Sequence, residues 1–418
     1  MNDQPDVVII GAGAAGIGAG MELEKRGVPF VILEASGRIG GRAYTDKTSL
    51  PYAWDQGCHW LHCADVNPLV AEADRVGAAY LAGGIEDWNA VWAKGDWADQ
   101  AGRANTLSIM DAAFAAIYEA GHGGLDVAIS DVLPDAGEWA PVVRHWIQLM
   151  SSGDPEQVST RSYADYQDTD HNWPMKTGYG DLIQRLAAGL PVRLNMPVSA
   201  IEQRANQVRI ITQSGSIEAT AAIITASTAV LNSGALEIGA GPARDLLDLV
   251  ENVPCGFYEK VAIAFDSDVF GHIEQPSVNI LPLDGSVPIN FQFANFGNPM
   301  VIGHVAGSVA RDLLGDGEAA MVEFAMQRLV AAFGTDIKAR VVNAATTGWG
   351  SNPFVRGGYS FARPGHAHQR HAMIEADTGN VAFAGEAFSK QWEATAHGAW
   401  ASGRDVAGRL ADNFKLAG

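Results

Sequence analysis

The run DVVIIGAGAAGIGAGMELEKRGVPFVILEA, residues 6–35, constrains this chain more than any other stretch. An apolar strand, a glycine-rich turn, a helical segment and a second apolar strand follow one another in the order of a dinucleotide-binding βαβ unit. Gly11, Gly13 and Gly16 form GxGxxG at the strand-to-helix turn, with Ala14 and Ala15 completing it. Such glycines permit the tight turn, the close approach of a pyrophosphate and the packing of the helix on the strand. The helix N-terminus supplies the anion site. A glycine-rich turn can be purely structural when it stands alone; here its place between strand and helix argues for a cofactor. Glu34 lies eighteen residues beyond Gly16, beside Ala35 at the end of the second strand. There a carboxylate can accept hydrogen bonds from ribose hydroxyls and disfavours a 2′-phosphate; the alternative is a solvated strand-end acid.

The chain has 418 residues and 47% hydrophobic content, above the size at which one core stops growing, so two domains are expected. The net charge of -20 argues against nucleic acid as a partner, because that affinity comes largely from Lys and Arg displacing counterions. Three cysteines, Cys58, Cys63 and Cys255, form neither a disulfide framework nor a metal-ligand spacing, so no metal is expected. The start of the chain reaches its first apolar run through Asp3 and Asp6, without Lys or Arg, unlike a secretory signal. No segment has the composition of a membrane span. A cytoplasmic location is the expectation.

Helical periodicity follows at residues 68–76, 107–120 and 139–150, which suggests a helical insertion. From residue 192 the texture turns to short β-type runs: VRIITQ, a Ser214-Gly215 turn and SIEATAAIITAS, then strands at 261–265, 289–293 and 301–305. A helix at 318–333, the strand in NVAFAGE and a helix over 397–410 close the chain. The expected fold class is α/β. A Rossmann-type cofactor-binding domain is expected to be assembled from residues 1–75, 176–256 and 345–418, and a mixed α+β substrate domain with a helical insertion from 76–175 and 257–344.

Arg38-Ile39-Gly40-Gly41-Arg42, followed by Thr45, separates FAD from NAD as the cofactor. Two arginines flanking a glycine pair can hold diphosphate and flavin-side oxygens, and arginine offers that contact as a planar fork. GAGAAG, Glu34 and RIGGR in this order and spacing resemble the flavin amine oxidase family, which includes monoamine oxidases, polyamine oxidases and flavin-dependent histone demethylases. The resemblance continues in Asp55-Gln56-Gly57-Cys58-His59-Trp60-Leu61-His62, similar to the polyamine oxidase stretch GAHWIHG, which implies Gly57, His59 and Trp60 beside the cofactor. Gly178 to Leu182, a strand near Val198 and the strand ending at Ala226 resemble regions that enclose the adenine and pyrophosphate end. Gly385 and Glu386 in FAGE, and Ala394-Thr395-Ala396-His397-Gly398-Ala399, are similar to FAGE and ATVHGA, which imply contacts to ribityl and pyrophosphate groups and an approach to the flavin ring. These pieces span nearly the whole chain.

The resemblance also nominates the chemistry. It implies Lys260, at the start of the strand VAIAF, near flavin N5 through a water. Such a lysine could orient that water, assist reoxidation by oxygen or favour a deprotonated amine; without the family it reads as a surface strand-end lysine. Trp349 to Phe354 with Gly357-Gly358-Tyr359-Ser360 resembles the segment that brings an aromatic ring to the substrate side of the flavin. Tyr359 would then wall the amine site, where its alternative is core packing with a satisfied hydroxyl. Thr395 stands where monoamine oxidases carry a second tyrosine, so either Thr395 or Trp392 completes the cage, and Trp392 can equally pack beneath it. Gly358 stands where monoamine oxidases attach FAD through cysteine, implying noncovalent FAD. The resemblance places His59 and His62 toward the substrate entrance; a structural pair bonding backbone carbonyls is the alternative.

The implied activity is hydride transfer from the α-carbon of a small-molecule amine, a polyamine or other aliphatic amine preferred, to flavin N5. It gives an imine, with molecular oxygen as acceptor and hydrogen peroxide as product. An L-amino acid oxidase, a carotenoid desaturase or a protoporphyrinogen oxidase shares the broad fold. A non-catalytic flavin-binding interaction protein is the alternative of a different class.

Overall fold

Val7–Ile10 is apolar and buried at all four positions, as a strand covered on both faces must be. In the computed structural model, which describes residues 5–83, 89–271, 277–282, 286–293 and 295–417, this strand lies at the centre of a five-stranded parallel sheet. The sheet order is Val381–Phe383, Ala221–Ile224, Val7–Ile10, Phe30–Leu33, Val192–Arg193. Strands distant in sequence thus become neighbours: Val7 pairs with Phe30 on one side and Ala221 on the other, and Ile224 with Phe383. Val7 and Ile9 enter one apolar cluster and Val8 and Ile10 another, so both faces of the sheet are core. Asp3, part of the reading of the chain start, lies outside the described residues.

The helix Ala14–Arg26 links the first two strands and packs on the final helix, Ala396–Ala417. Glycines set that spacing. A Cβ on Gly18 would lie 2.4 Å from the Trp400 carbonyl oxygen, and one on Gly403 would lie 2.0 Å from that of Ala15.

A second sheet contains Gly215–Ala219, Gln207–Thr212, Val198–Arg204 and Glu237–Ile238, in that order. The third has seven strands: Val341–Thr346, Tyr258–Phe265, Met300–Ala306, Ile289–Phe293, Ser277–Leu281, Asn89–Ala93 and Asp96–Trp97. One of its faces packs Val261, Ile263, Val278 and Phe291 with Met321, Ala325 and Leu329 of the helix Glu318–Phe333. The opposite face is covered by the helices Gln100–His122 and Ala140–Ser151, which pack on Val91 and Leu281.

Several boundaries differ from the sequence expectation, among them the last helix, which runs to Ala417 instead of residue 410. The helix expected at 107–120 begins at Gln100, because the Asp99 carboxylate accepts the Gly102 N–H and caps a polar first turn that apolar periodicity does not register. The strand expected from Val261 begins at Tyr258, so Lys260 lies within it. The division expected between residues 344 and 345 would cut the strand Val341–Thr346, which pairs with Tyr258–Phe265; the seven-stranded sheet ends after Thr346.

Candidate active site

The turn after the first strand is shaped by atoms that allow no side chain. Gly11 has φ 104°, in the region that favours glycine, and a Cβ there would lie 2.5 Å from Thr225 Oγ1. At Gly16 a Cβ would lie 1.9 Å from the Gly11 carbonyl oxygen. The helix then starts after Gly13 with no side-chain cap, which leaves the N–H groups around Ala14 and Ala15 open to an anion. Gly13 bridges to Gly40, whose N–H donates to the Ala12 carbonyl at 2.9 Å, so the Gly40-Gly41 turn lies alongside.

Glu34 is buried at the edge of this cradle rather than solvated. Its carboxylate accepts the Ala12 N–H at 2.8 Å and both the N–H and hydroxyl of Ser36 at 2.8 and 2.7 Å, with half-buried Ala35 between them in sequence.

The two arginines of RIGGR part company. Arg38 lies over the Tyr44 ring at 4.1 Å and donates to the Gly41 carbonyl at 2.9 Å. Arg42 donates to the Gly358 carbonyl and pairs with Glu386 at 3.2 Å. Arg38 is thus held by its own neighbours in the chain, whereas Arg42 is tied through one guanidinium nitrogen to segments more than 300 residues away.

Glu386 gathers several segments. Besides Arg42, it accepts the Ser360 hydroxyl at 2.7 Å and the N–H groups of Ser360 and Ala394 at 3.1 Å each. The Gly385 N–H is held by Ser402 Oγ at 2.9 Å, which anchors this turn on the final helix. Ala394 has φ 64°, a left-handed conformation kept by that hydrogen bond. Thr395 then caps the final helix: its hydroxyl accepts the Gly398 N–H at 3.0 Å and donates to the Trp392 carbonyl at 2.7 Å. Trp392 sits 5.1 Å, ring to ring, from His397. His397 is 1% exposed and neither ring nitrogen has a protein partner; burial pushes its pKa down to about 3.

Lys260 is buried, and its Nζ donates to the carbonyl oxygens of Asp55 at 2.9 Å and Gly57 at 2.7 Å. It is no surface strand-end lysine. Burial pushes its pKa down to about 8. Gly57 itself permits close contact, since a Cβ there would lie 1.6 Å from the Arg42 carbonyl oxygen. The Asp55 carboxylate accepts the Thr45 hydroxyl at 2.6 Å and stands 3.1 Å from His59 Nδ1. Because a carboxylate only accepts, it fixes the proton on Nδ1, and His59 Nε2 accepts from the Gln292 amide at 2.9 Å. Glu259, buried on the other side of the same strand, accepts from the Thr347 hydroxyl and the N–H groups of Trp349 and Gly350. Burial raises its pKa. Trp349 in turn donates its indole N–H to the Gln56 carbonyl at 3.0 Å.

Tyr359 stands 5.7 Å, ring to ring, from Tyr258 and donates its hydroxyl to the Leu149 carbonyl. Tyr258 shares a 2.9 Å hydrogen bond with Nδ1 of His304. His59 and His62 diverge: His59 is buried with Trp60 edge-on at 5.1 Å, whereas His62 is half-buried and its Nδ1 contacts Asn172 Oδ1. The backbone-carbonyl alternative for this pair fails, because both rings are held by side chains. Val198 and Ala226 pack against the cluster beneath the parallel sheet. Sequence reasoning missed Asp55, Glu259, Gln292 and His304 as functional neighbours. The signal for Glu259 was its place, with Lys260, in the otherwise apolar strand YEKVAIAF.

The residues fit a large anionic dinucleotide. An uncapped helix start, a cradle that a Cβ at Gly11 or Gly16 would fill, and a buried histidine without protein partners are features that such a ligand would satisfy. This cradle defines a dinucleotide-binding protein.

Comparison with known proteins narrows the class. The chain matches the family described as flavin containing amine oxidoreductase over residues 14–96 and 108–411, and it belongs to that family. It is accordingly an FAD-dependent oxidoreductase acting on CH–NH or CH–NH2 groups. It is 26% identical to polyamine oxidase 2 of Arabidopsis thaliana, over 96% of this chain and 86% of that protein. Its fold is similar to that of cyclohexylamine oxidase from Brevibacterium oxydans IH-35A, with TM-score 0.82 and 20% identity over 99% of this chain and 100% of that one. A putrescine oxidase double mutant with redesigned cofactor binding gives TM-score 0.81 and 17% identity, over 98% and 99% of the two chains. Among the described residues no helix is long and apolar enough to cross a membrane, and no group of three or more His, Cys, Asp or Glu could hold a metal ion.

Proposed function

We propose that this chain is an amine oxidase that takes a polyamine or another aliphatic amine and oxidises it at the carbon next to nitrogen, releasing an imine that hydrolyses. FAD, when bound, supplies the hydride acceptor at N5 and passes the electrons to molecular oxygen, giving hydrogen peroxide. The observation that carries this reading is the buried Lys260, held by two carbonyls at the junction of the cofactor turn and the seven-stranded sheet.

Each part of the chain has a task. The Gly11–Gly16 turn receives the diphosphate and Glu34 the ribose. Gly40, Gly41 and Arg42 pass beside the cofactor, as do Gly57, Trp60 and Trp349. Val198 and Ala226 support the adenine end, and Gly385, Glu386, Ala394 and Thr395 the ribityl end. FAD is held noncovalently, because Gly358 offers no nucleophile beside Tyr359. The FAD-binding part draws on residues 1–75 and 176–256 and on the chain after Thr346, and the substrate part on the remainder.

Lys260 holds an electropositive, low-dielectric position that favours the deprotonated amine and orients a water through its third N–H. Tyr359 supplies one aromatic wall and Trp392 the other, since the Thr395 hydroxyl is engaged in capping the last helix. His59, with its tautomer fixed by Asp55, accepts the Gln292 amide at Nε2 and so positions that side chain. Similarity to polyamine oxidase 2 and to cyclohexylamine oxidase supports an aliphatic amine.

The test is an absorbance spectrum of purified holoenzyme, followed anaerobically while polyamines, monoamines and amino acids are added. Bleaching by an amine, reversed by air with release of peroxide, is the expected result. Absence of flavin overturns the reading, and flavin that no amine bleaches points to a desaturase or a non-catalytic scaffold.

A further inference from the structure

The buried face of the seven-stranded sheet that carries Lys260 is polar along a straight row. Lys260 pairs across strands with His304, His304 with Asn290, and Asn290 with Asn279. Side chains of directly paired residues share a face, so these four project to the same side. All four are under 9% exposed, and the face is roofed by the helices Gln100–His122 and Ala140–Ser151. The roof adds His145, 1% exposed, whose Nε2 has no protein partner. The opposite face of the same strands is apolar at Val261, Val305, Phe291 and Val278, and Glu259, which also lies there, is held by Thr347, Trp349 and Gly350. Buried polar groups cost stability unless they are hydrogen-bonded, so the unspent hydrogen-bonding atoms of this row are informative.

Asn290 spends both amide N–H groups, on Ser277 Oγ and Asn279 Oδ1 at 2.9 Å each, and among the described residues its own Oδ1 receives no donor. Gln292, one strand pairing from Ser277, donates to His59 and keeps its Oε1. His304 bonds Tyr258 through Nδ1 and keeps Nε2; His145 keeps Nε2 as well. The row therefore offers acceptors from the amides together with imidazole nitrogens that can donate or accept. A second ammonium could only donate, and it would meet the Lys260 ammonium, whose charge bears on His304. A carboxylate could only accept, and it would meet the two amide oxygens. The Asp55 carboxylate is engaged with His59, Thr45 and the Tyr179 N–H. A hydroxyl or carboxamide both donates and accepts.

We infer that Asn290, Gln292, His304 and His145 form a recognition subsite for a neutral hydroxyl or carboxamide carried by the amine substrate at its end remote from the oxidised carbon. The inference rests on the amine oxidase reading and narrows it, selecting neutral-tailed aliphatic amines over polyamines. Lys260 and Asn290 are two strand spacings apart, about 10 Å, which sets the reach required of the substrate.

The test uses holoenzyme and a matched series: hexylamine, 6-aminohexan-1-ol, 6-aminohexanamide, 1,6-diaminohexane and 6-aminohexanoate. Half-saturation for anaerobic flavin bleaching should fall about tenfold or more for the alcohol and amide relative to hexylamine, and should not fall for the diamine or the acid. Asn290→Leu should erase that advantage, and the near-isosteric Asn290→Asp should transfer it to the diamine. Calorimetry with 1,6-hexanediol, which is not an amine substrate, should show binding weakened about tenfold in Asn290→Leu. A flat series, a preference for the diamine in the wild type, or equal diol binding in both proteins overturns the subsite, and the wild-type series decides even if a variant fails to fold. If no amine bleaches the flavin, the amine oxidase reading fails, whereas the calorimetry still reports on the subsite.

Discussion

The Lys260 side-chain nitrogen stands 2.7 Å from the carbonyl oxygen of Gly57, joining the seven-stranded sheet to the turn that follows Asp55. With the Asp55 carbonyl as a second acceptor, two of its three N–H groups are fixed by backbone and the third remains for chemistry.

Replacing this lysine separates structure from catalysis. Lys260→Met should retain FAD and slow flavin reduction or reoxidation by about tenfold or more, within the range of general acid–base effects. Stopped-flow measurement of both half-reactions is the check, and unchanged rates in both would remove the lysine from the mechanism.

The same residue predicts a stability profile. Its pKa is about 8 in the native protein against an ordinary 10.5, so between those values the unfolded chain holds a proton that the native state has released. Native stability therefore rises with pH through that window, by about 3 kcal/mol in full, while below pH 8 the burial penalty is undiminished. Denaturant midpoints of wild type and Lys260→Met at pH 7.5 and 9.5 should diverge accordingly, the wild type gaining.

His145 gives the opposite end of the scale. Burial holds its pKa at about 3 instead of 6.5, so as pH falls below 6.5 the unfolded chain takes up a proton that the native state refuses. Stability is lost progressively toward pH 3, with about 2 kcal/mol gone by pH 5 from this group. His145→Gln should show a shallower loss between pH 7 and 5 in urea titrations.

Gly16→Ala tests the cradle. The added methyl would lie 1.9 Å from the Gly11 carbonyl oxygen, which belongs to backbone and cannot swing aside. Purified variant should lose most of its flavin absorbance relative to protein absorbance; full retention of FAD would contradict the assigned cradle.

Glu386→Ala should destabilise the chain by about 3–5 kcal/mol, because it leaves the Arg42 guanidinium and the Ser360 and Ala394 N–H groups without their shared acceptor. Chemical denaturation measures the loss, and Glu386→Gln should recover part of it by keeping an acceptor in place.

Much of this was legible in the chain itself. The βαβ opening, the helix Glu318–Phe333 and the strand Ile289–Phe293 follow local periodicity, and their observed bounds match the patterned residues. The family resemblance rested on short motifs whose glycines answer to backbone geometry, so the motifs carry their own constraint. Less legible were segments where polar residues interrupt the pattern. Gln100–His122 and Tyr258–Phe265 both begin earlier than apolar spacing suggests, since a side-chain cap and cross-strand pairing supply what periodicity lacks.

By itself the sequence determined a βαβ opening with its glycine turn and, through short motifs spread along the chain, an oxidoreductase of the amine-directed family, because each motif is a local pattern of residues. The tertiary structure alone decided how distant groups were spent: Arg42 on Glu386, Thr395 on a helix cap, and His59 between Asp55 and Gln292. It also assembled Lys260, His304, Asn290 and Asn279 into one polar row from four strands. Strand register sets that row, and register depends on pairing between segments whose separation along the chain carries no signal of which residue will face which.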